Sequence, residues 1–209
     1  MVGRAHYLAA IGFFALLSGC SGFFSPGSRL PYHQQMAPLP SGSTCRVAVL
    51  PFVSEDDYPL ADSIAYKVFL AQFSTSTNYH LPQEGDILKV YQQLRILPGQ
   101  EPTPEQLRLL ASRLEAQLLV TGSIFEMREN PGEQMGVNPV LAVNLQIRDG
   151  KNGDVLWNTY HRRQGADYRT AMHFGTLHTV TGLSQQVARE IINLWFKEGL
   201  RQCDVSSRF

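Results

Sequence analysis

Residues 140–162 restrict the fold of this chain more than any other part of its sequence. From Val140 to Asp149, apolar and polar residues alternate with the period of a strand that has one buried face. Asn152 and Gly153 follow and favour a two-residue type I′ turn, so we expect residues 154–162 to return as an antiparallel strand. The chain must therefore bury one face of this hairpin against other elements.

A turn centred on Asn152 and Gly153 also predicts which side chains face each other. On the core side, Leu145 lies opposite Tyr160 and Leu156 opposite Asp149; on the other side the predicted pairs are Arg148 with Trp157, Gln146 with Thr159, and Asn144 with His161. The second face is polar around one exposed tryptophan, so Trp157, Arg148 and His161 are candidates for contact with a partner or a second subunit. The alternative is that Trp157 stacks under Arg148 as a cation–π pair.

Strand-like and helix-like segments alternate through the rest of the chain. Apolar runs predict strands over residues 46–53 and 117–126, and the first run is apolar on both faces, so we expect it at the centre of the sheet. Apolar residues at helical spacing predict helices over residues 58–73, 85–94 and 184–200. Thr103, Pro104 and Gln106 have the arrangement of a capping box, so a further helix begins there.

The first twenty residues have the pattern of an export signal. Arg4 precedes an apolar stretch over residues 7–17, as in a signal peptide. The end of this stretch, Leu-Ser-Gly-Cys at residues 17–20, resembles the bacterial lipobox, which implies that Cys20 becomes the first residue and carries acyl chains. Ser21 replaces the aspartate that usually retains such proteins at the inner membrane of enteric bacteria, and so favours the outer membrane. The alternative is an ordinary secretory peptide with a chance cysteine.

Residues 21–44 lack helical or strand periodicity and are rich in proline, glycine and serine, which is typical of a tether. The predicted organisation is a signal peptide over residues 1–19, a lipidated cysteine and tether over residues 20–44, a folded domain over residues 45–203 and a tail over residues 204–209.

Three cysteines are present, and lipidation of Cys20 leaves Cys45 and Cys203. An even remainder in an oxidising compartment favours a disulfide between the two ends of the folded domain. Two unpaired thiols or an intermolecular bridge are the alternatives. Neither cysteine has a second metal ligand at short spacing, so the sequence predicts no metal site here.

Several chemical functions find little support in the sequence. Lysine plus arginine equals aspartate plus glutamate at 18 each, so no basic excess is available for nucleic acid. Pro51 stands where a phosphate-binding loop would begin, and Ser123 lies within a strand pattern instead of a nucleophile elbow. We expect no cofactor and no metal; a site built from Asp167, His173 and His178 is the alternative, and it would make the chain a periplasmic enzyme.

Taken together, several motifs resemble those of one lipoprotein family. They are the lipobox, the first strand VAVLPF, the strand entry at residues 116–124, and the hairpin motifs at residues 143–149 and 153–157. They are similar to the periplasmic domain shared by the CsgG, PelC and LpoB lipoproteins, which serve curli secretion, exopolysaccharide export and peptidoglycan-synthase activation. The resemblance covers residues 46–200 and implies a three-layer α/β/α sandwich on a mixed sheet, no catalytic activity, and rings in some members.

The chain departs from the curli branch of this family at one point. The curli channel builds its pore from two long alternating hairpins, whereas residues 127–138 and 164–181 here are short or do not alternate. We therefore expect a CsgG-like domain without transmembrane hairpins, which forms no pore by itself.

The resemblance implies a non-enzymatic lipoprotein anchored in the outer membrane and facing the periplasm of a Gram-negative bacterium. Its expected role is that of an accessory in the export of a surface polymer or in the assembly of an envelope structure. Its expected partners are the outer membrane, an envelope or secretion protein and, if it forms a ring, copies of itself. The alternatives are a lipoprotein activator of a peptidoglycan synthase, which needs no ring, and the periplasmic enzyme with a histidine loop.

Overall fold

A computed structural model describes residues 30–41, 44–132, 136–170 and 174–203 of the chain. These ranges contain six strands: β1 (Tyr32–Gln35), β2 (Val47–Val49), β3 (Val53–Ser54), β4 (Leu118–Pro131), β5 (Val137–Asp149) and β6 (Val155–Gln164). They also contain four α-helices: α1 (Ala61–Ser76), α2 (Glu84–Gln93), α3 (Pro104–Leu114) and α4 (Val180–Lys197). A 3₁₀ helix, Gly165–Tyr168, follows β6. Within these ranges, no helix is both long and apolar enough to span a membrane.

The strands form one mixed sheet in the order β1-β6-β5-β4-β2, with β3 also paired to β4. β2 and β3 run parallel to β4, and the remaining pairs are antiparallel. Helices α1 and α4 pack on one face, where Phe69, Phe73 and Trp195 form the centre of the larger core. Helices α2 and α3 pack on the other face against Leu50 and Leu119. The predicted three-layer α/β/α sandwich on a mixed sheet is confirmed.

The first apolar strand lies at an edge of this sheet, so its predicted central place is wrong. The run is split into β2 and β3, and both pair with β4 alone among the strands. On the outer side of β2, Arg46 makes one isolated bridge to His80. The side chains of β2 are nevertheless buried on both faces, because α1 lies below the strand and α2 with α3 above it. A continuous apolar run indicates that both faces of a strand are buried, but it does not indicate how many strands pair with it.

Local hydrogen bonds and backbone conformation determine where two of the helices begin. At α3, Thr103 accepts a hydrogen bond from the Gln106 N–H, and the Gln106 side chain accepts one from the Thr103 N–H, which confirms the predicted capping box. Helix α1 begins three residues later than predicted, after Leu60 in the left-handed conformation at φ 59°. Before this helix, the Asp56 carboxylate accepts a hydrogen bond from the Tyr58 N–H, and this bond holds the residues in a turn.

The register of the β5–β6 hairpin differs from the prediction by one residue, and this moves Trp157 into the core. Leu145 lies opposite Thr159 and Ile147 opposite Trp157. The connection spans residues 150–154, longer than a two-residue turn; Gly153 has φ 79°, and its N–H donates to the Asp149 carbonyl. Because side chains alternate across a strand, a slip of one residue exchanges the two faces. The prediction of an exposed Trp157 is therefore wrong: its side chain is 1% exposed.

Part of the segment predicted as a tether is a strand. β1 pairs antiparallel with β6, and Ala37 and Leu39 after it pack against the larger core. The His33 ring is hydrogen-bonded to the Thr159 hydroxyl at 2.9 Å and meets the Trp157 ring edge-on at 5.1 Å between centroids. The strand sequence, Tyr-His-Gln-Gln, has no apolar alternation, so its periodicity gives no signal. The folded domain therefore includes residues closer to Cys20 than the predicted start at residue 45; Cys20 itself lies outside the described residues.

A disulfide joins Cys45 to Cys203 across 158 positions of the sequence. Cys45 directly precedes the first apolar strand, and Cys203 lies just beyond α4. Asn78 holds the second cysteine in place: its side-chain NH₂ donates to the Cys203 carbonyl at 2.9 Å, and its Oδ1 accepts the Cys203 N–H at 2.7 Å. Of the three arrangements that the sequence left open, the structure contains the intramolecular bridge.

We expect Cys45→Ala to lower the free energy of unfolding by up to about 5 kcal/mol, since the bridge closes a very long loop of the unfolded chain. Urea unfolding followed by circular dichroism measures this change. Reductant should destabilise the wild-type chain to the same extent and leave Cys45→Ala unchanged. If reductant leaves the unfolding midpoint of the wild-type chain unchanged, the bridge does not stabilise the fold.

Candidate interaction surface

Among the described residues, part of one face of the sheet carries no helix. Helices α2 and α3 cover β2 and the start of β4, where Ala48, Leu50 and Leu119 are buried beneath them. On the same face, the remainder of β4 together with β5, β6 and β1 continues beyond these helices. We call this region the open face.

The side chains of the open face form two rows that run across four strands. The strand registers define both rows and place them on the same side of the sheet. The first row consists of Tyr32, Tyr160, Asn144 and Ser123. The second row consists of Gln34, Asn158, Gln146 and Thr121. Every member is a tyrosine, a carboxamide or a hydroxyl residue. The two rows therefore contain no charged group, and all eight side chains can form hydrogen bonds.

Aromatic rings stand on one end of the open face. Tyr32 is 65% exposed, Tyr160 is 36% exposed, and Phe125 beside them is 42% exposed. The rings of Phe125 and Tyr160 lie 6.3 Å apart between centroids. Phe125 falls in the irregularity of the β4–β5 register between Ile124 and Glu126, and such a bulge redirects a side chain.

The polar groups of this face are incompletely paired with each other. The Gln146 side-chain NH₂ donates to the Asn158 Oδ1 at 3.2 Å. The Asn144 Oδ1 is buried and accepts no hydrogen bond from the described part of the chain.

Charged side chains lie at the rims of the open face, where they form ion pairs with each other. At one rim, the Arg162 guanidinium contacts the Glu126 carboxylate at 2.8 Å, over the buried Ala142. At the other rim, Arg148 contacts the Glu101 carboxylate at 3.4 Å and donates to the Gly153 carbonyl at 3.2 Å. Burial lowers the pKa of Arg148, and the nearby Glu101 opposes that shift.

The three residues that the sequence grouped as a partner contact are separated. Arg148 lies at the rim of the open face, whereas Trp157 and His161 point into the core on the opposite face. Trp157 lies opposite Ile147 in the sheet, and its side chain and that of Arg148 are on different faces. The alternative cation–π pair between Trp157 and Arg148 therefore does not form. His161 is 2% exposed and contacts α4.

A buried polar cluster joins β6 to α4. The Glu190 carboxylate contacts the His161 Nε2 at 2.5 Å and accepts from the Arg163 Nε at 3.1 Å and from the Gln186 side chain at 3.3 Å. Burial alone would raise the pKa of Glu190, but hydrogen bonds from His161 and Arg163 outweigh it and bring the pKa to about 2. Glu190 is therefore ionised at neutral pH and holds the two elements together.

The structure describes two members of the alternative site formed by Asp167, His173 and His178, and both have other partners. The Asp167 carboxylate accepts the Gln164 N–H at the start of the 3₁₀ helix, and the His178 ring is hydrogen-bonded to the Val137 carbonyl at 3.0 Å. His173 lies outside the residues that the structure describes. In the described ranges, no group of three or more histidine, cysteine, aspartate or glutamate side chains could hold a metal ion.

Sequence reasoning missed the aromatic members of the open face. Tyr32 lies in the segment predicted as a tether, and Tyr160 was assigned to the core by the wrong register. No sequence signal revealed them, because β1 has no apolar alternation and the connection at residues 150–154 is longer than the Asn152–Gly153 pair suggests.

Comparison with solved structures confirms the predicted resemblance at the level of the fold. The PelC dodecamer from Paraburkholderia phytofirmans matches with a TM-score of 0.52 and 16% identity, covering 78% of this chain and 96% of that chain. Lipoprotein GNA1162 from Neisseria meningitidis matches with a TM-score of 0.53 and 12% identity, covering 73% of this chain and 99% of that chain.

Other comparisons add less. The C-terminal domain of LpoB from Escherichia coli matches with a TM-score of 0.44 and 15% identity over 59% of this chain and 86% of that chain, which does not establish a common fold. No family model matches the sequence, and no curated protein matches it.

We expect Glu190→Gln to destabilise the chain by about 3 kcal/mol at pH 7, because the carboxylate is far more acidic in the folded state than in the unfolded state. This stabilisation is present above the unfolded pKa near 4.5 and is lost as pH falls towards 2. Urea unfolding at pH 7 and pH 3 measures the difference, which should shrink at the lower pH.

Glu55→Gln is the matched control, since it removes an exposed carboxylate from a loop. We expect it to leave the unfolding midpoint unchanged at both pH values. An equal loss of stability in Glu190→Gln at both pH values would contradict the assigned role of the ionised Glu190.

Proposed function

We propose that this chain is a lipoprotein of the outer membrane that faces the periplasm of a Gram-negative bacterium and acts without catalysis. Cys20 is its lipid anchor, and its role is that of an accessory in the export of a surface polymer or in the assembly of an envelope structure. It works as a homo-oligomer with an envelope or secretion protein as its partner.

The observation that carries this proposal is the fold. The described domain shares its architecture with lipoprotein GNA1162 and with PelC, which is a dodecamer. Together with the lipobox at residues 17–20, this likeness supports an anchored domain that assembles with copies of itself.

The position of β1 supports an anchor close to the folded domain. Tyr32 follows Cys20 by 12 residues, and a fully extended chain of that length reaches at most about 40 Å. The domain therefore stays near the membrane that holds Cys20.

The side chains of the alternative enzyme site give that alternative no support. Asp167 stabilises the start of the 3₁₀ helix, and His178 is engaged by a backbone carbonyl.

Cys20→Ser should release the chain from membranes, because no acyl chain can be attached to the serine. Cell fractionation followed by immunoblotting measures the shift from the membrane pellet to the soluble periplasm, and labelling with radioactive palmitate should disappear. Ser18→Ala keeps a small residue and the cysteine, and should remain in the pellet. A Cys20→Ser chain that still takes up palmitate would contradict the anchor.

Ser21→Asp should move the lipoprotein from the outer to the inner membrane of an enteric host, since it restores the usual retention residue. Separation of the two membranes on a sucrose gradient measures this change, with Ser21→Ala as the control. Inner-membrane fractionation of the wild-type chain would overturn the outer-membrane assignment.

Light scattering of the full lipidated chain in detergent tests self-assembly. We expect one defined large oligomer. A monomer at all concentrations would contradict assembly and favour the regulator of a peptidoglycan synthase, which needs no ring.

A further inference from the structure

We propose that the open face binds the glycan strands of peptidoglycan. This inference goes beyond the proposed accessory role and depends on it only for the location of the chain in the periplasm.

The chemistry of the two rows matches that of a sugar chain. The carboxamides of Gln34, Asn158 and Gln146 each offer donors and acceptors, as do the hydroxyl and acetamido groups of an N-acetylated glycan. The rings of Tyr32 and Tyr160 offer flat apolar surfaces to the C–H faces of sugar rings. The rows carry no charge, so they suit an uncharged strand.

The size of the face suits an extended ligand. Each row crosses four neighbouring strands, which spans roughly 14 Å at the usual strand spacing. This length holds more than one sugar ring, and the parallel row below it offers further hydrogen bonds to the same chain.

Asn144 lies at the centre of the face. Its Oδ1 is buried and has no hydrogen-bond partner in the described part of the chain, although it lies directly beside Tyr160. Because this oxygen is buried, a ligand N–H or O–H group reaches it only if neighbouring side chains of the open face move aside.

Another protein surface fits the open face less well. The exposed apolar side chains elsewhere on this chain include Leu88, Leu97 and Leu109, and leucine offers no hydrogen bond to a carboxamide. A second copy that docked through such a surface would leave the amides of the rows buried and unpaired, which is costly. An anionic polymer fits less well too, because Arg162 and Arg148 at the rims already contact Glu126 and Glu101.

The location of the chain determines the source of the glycan. Tyr32 and Gln34 belong to the strand that begins 12 residues after Cys20, so the face lies within about 40 Å of the anchor. Peptidoglycan is the N-acetylated glycan polymer of the periplasm, and its acetamido groups offer both donors and acceptors to the carboxamides of Gln34, Asn158 and Gln146.

Co-sedimentation of the purified full chain with isolated peptidoglycan sacculi, in mild detergent, tests the proposal. We expect wild-type protein to sediment with sacculi and chitin tetrasaccharide to compete for binding, whereas cellotetraose, which lacks acetamido groups, should compete at least tenfold less. The double variant Tyr32→Ala, Tyr160→Ala should bind at least tenfold more weakly, and Gln34→Leu should also weaken binding. Phe174→Ala is the matched control, since it removes an aromatic ring that is 74% exposed but lies outside the sheet.

Thermal unfolding and reductant sensitivity of each variant establish that it is folded. Wild-type protein that stays in the supernatant would overturn the proposal, and so would equal losses in the face variants and in Phe174→Ala. Cellotetraose that competes as well as chitin tetrasaccharide would overturn peptidoglycan as the occupant. Face variants that bind sacculi normally but lose oligomeric mass would assign the surface to a second copy instead.

These outcomes are separable from those of the anchor experiments, because purified protein is added directly to sacculi. If the chain binds sacculi but its membrane fractionation is unchanged by Cys20→Ser, only the proposed anchor is contradicted. A chain that loses its membrane location with Cys20→Ser but never binds sacculi would contradict only the glycan site.

Discussion

The register of β5 between β4 and β6 determines how the rest of the domain is arranged. It turns Leu145 and Ile147 towards α1 and α4, and thereby turns Asn144 and Gln146 to the opposite side of the sheet. Trp157, Thr159 and His161 follow Leu145 and its neighbours into the core, where the Trp195 N–H donates to the Thr159 hydroxyl at 2.8 Å. A slip by one residue would bury the amides and expose the tryptophan.

The same register distributes the polar groups between two very different environments. Beneath the sheet, Glu190, His161 and Arg163 satisfy one another in a largely buried cluster that joins β6 to α4. Above it, the carboxamides and tyrosines of the open face remain accessible and only partly paired. The first arrangement serves stability, because removing one partner leaves a buried charge. The second is suited to recognition, because Tyr32 and Tyr160 are exposed beside carboxamides that can form hydrogen bonds.

The sequence predicts the elements of this fold better than their arrangement. Thr103 and Gln106 reveal the start of α3 because a capping box acts within four residues, and the alternation over residues 140–149 reveals β5 because one of its faces is packed. The predicted hairpin register failed because residues 150–154 form a longer connection than Asn152 and Gly153 suggest. β1 gave no pattern because its strand is polar and lies at an edge, where pairing with β6 and not side-chain burial defines it. The open face was missed for both reasons at once.

The attachment of β1 has a mechanical consequence for an anchored protein. A pull on Cys20 acts along the chain on β1, whose four residues pair with a single neighbouring strand. If those pairs and the core contacts of Ala37 and Leu39 separate, the connection between Cys20 and the domain extends to Cys45, which is 25 residues along the chain. There the load meets a covalent link to Cys203, so a force directed between the two ends of the domain bypasses the sheet. β1 would act as an extensible joint that yields before the core does, and its loss would dismantle Tyr32 and Gln34 on the open face while leaving the rest of the domain folded.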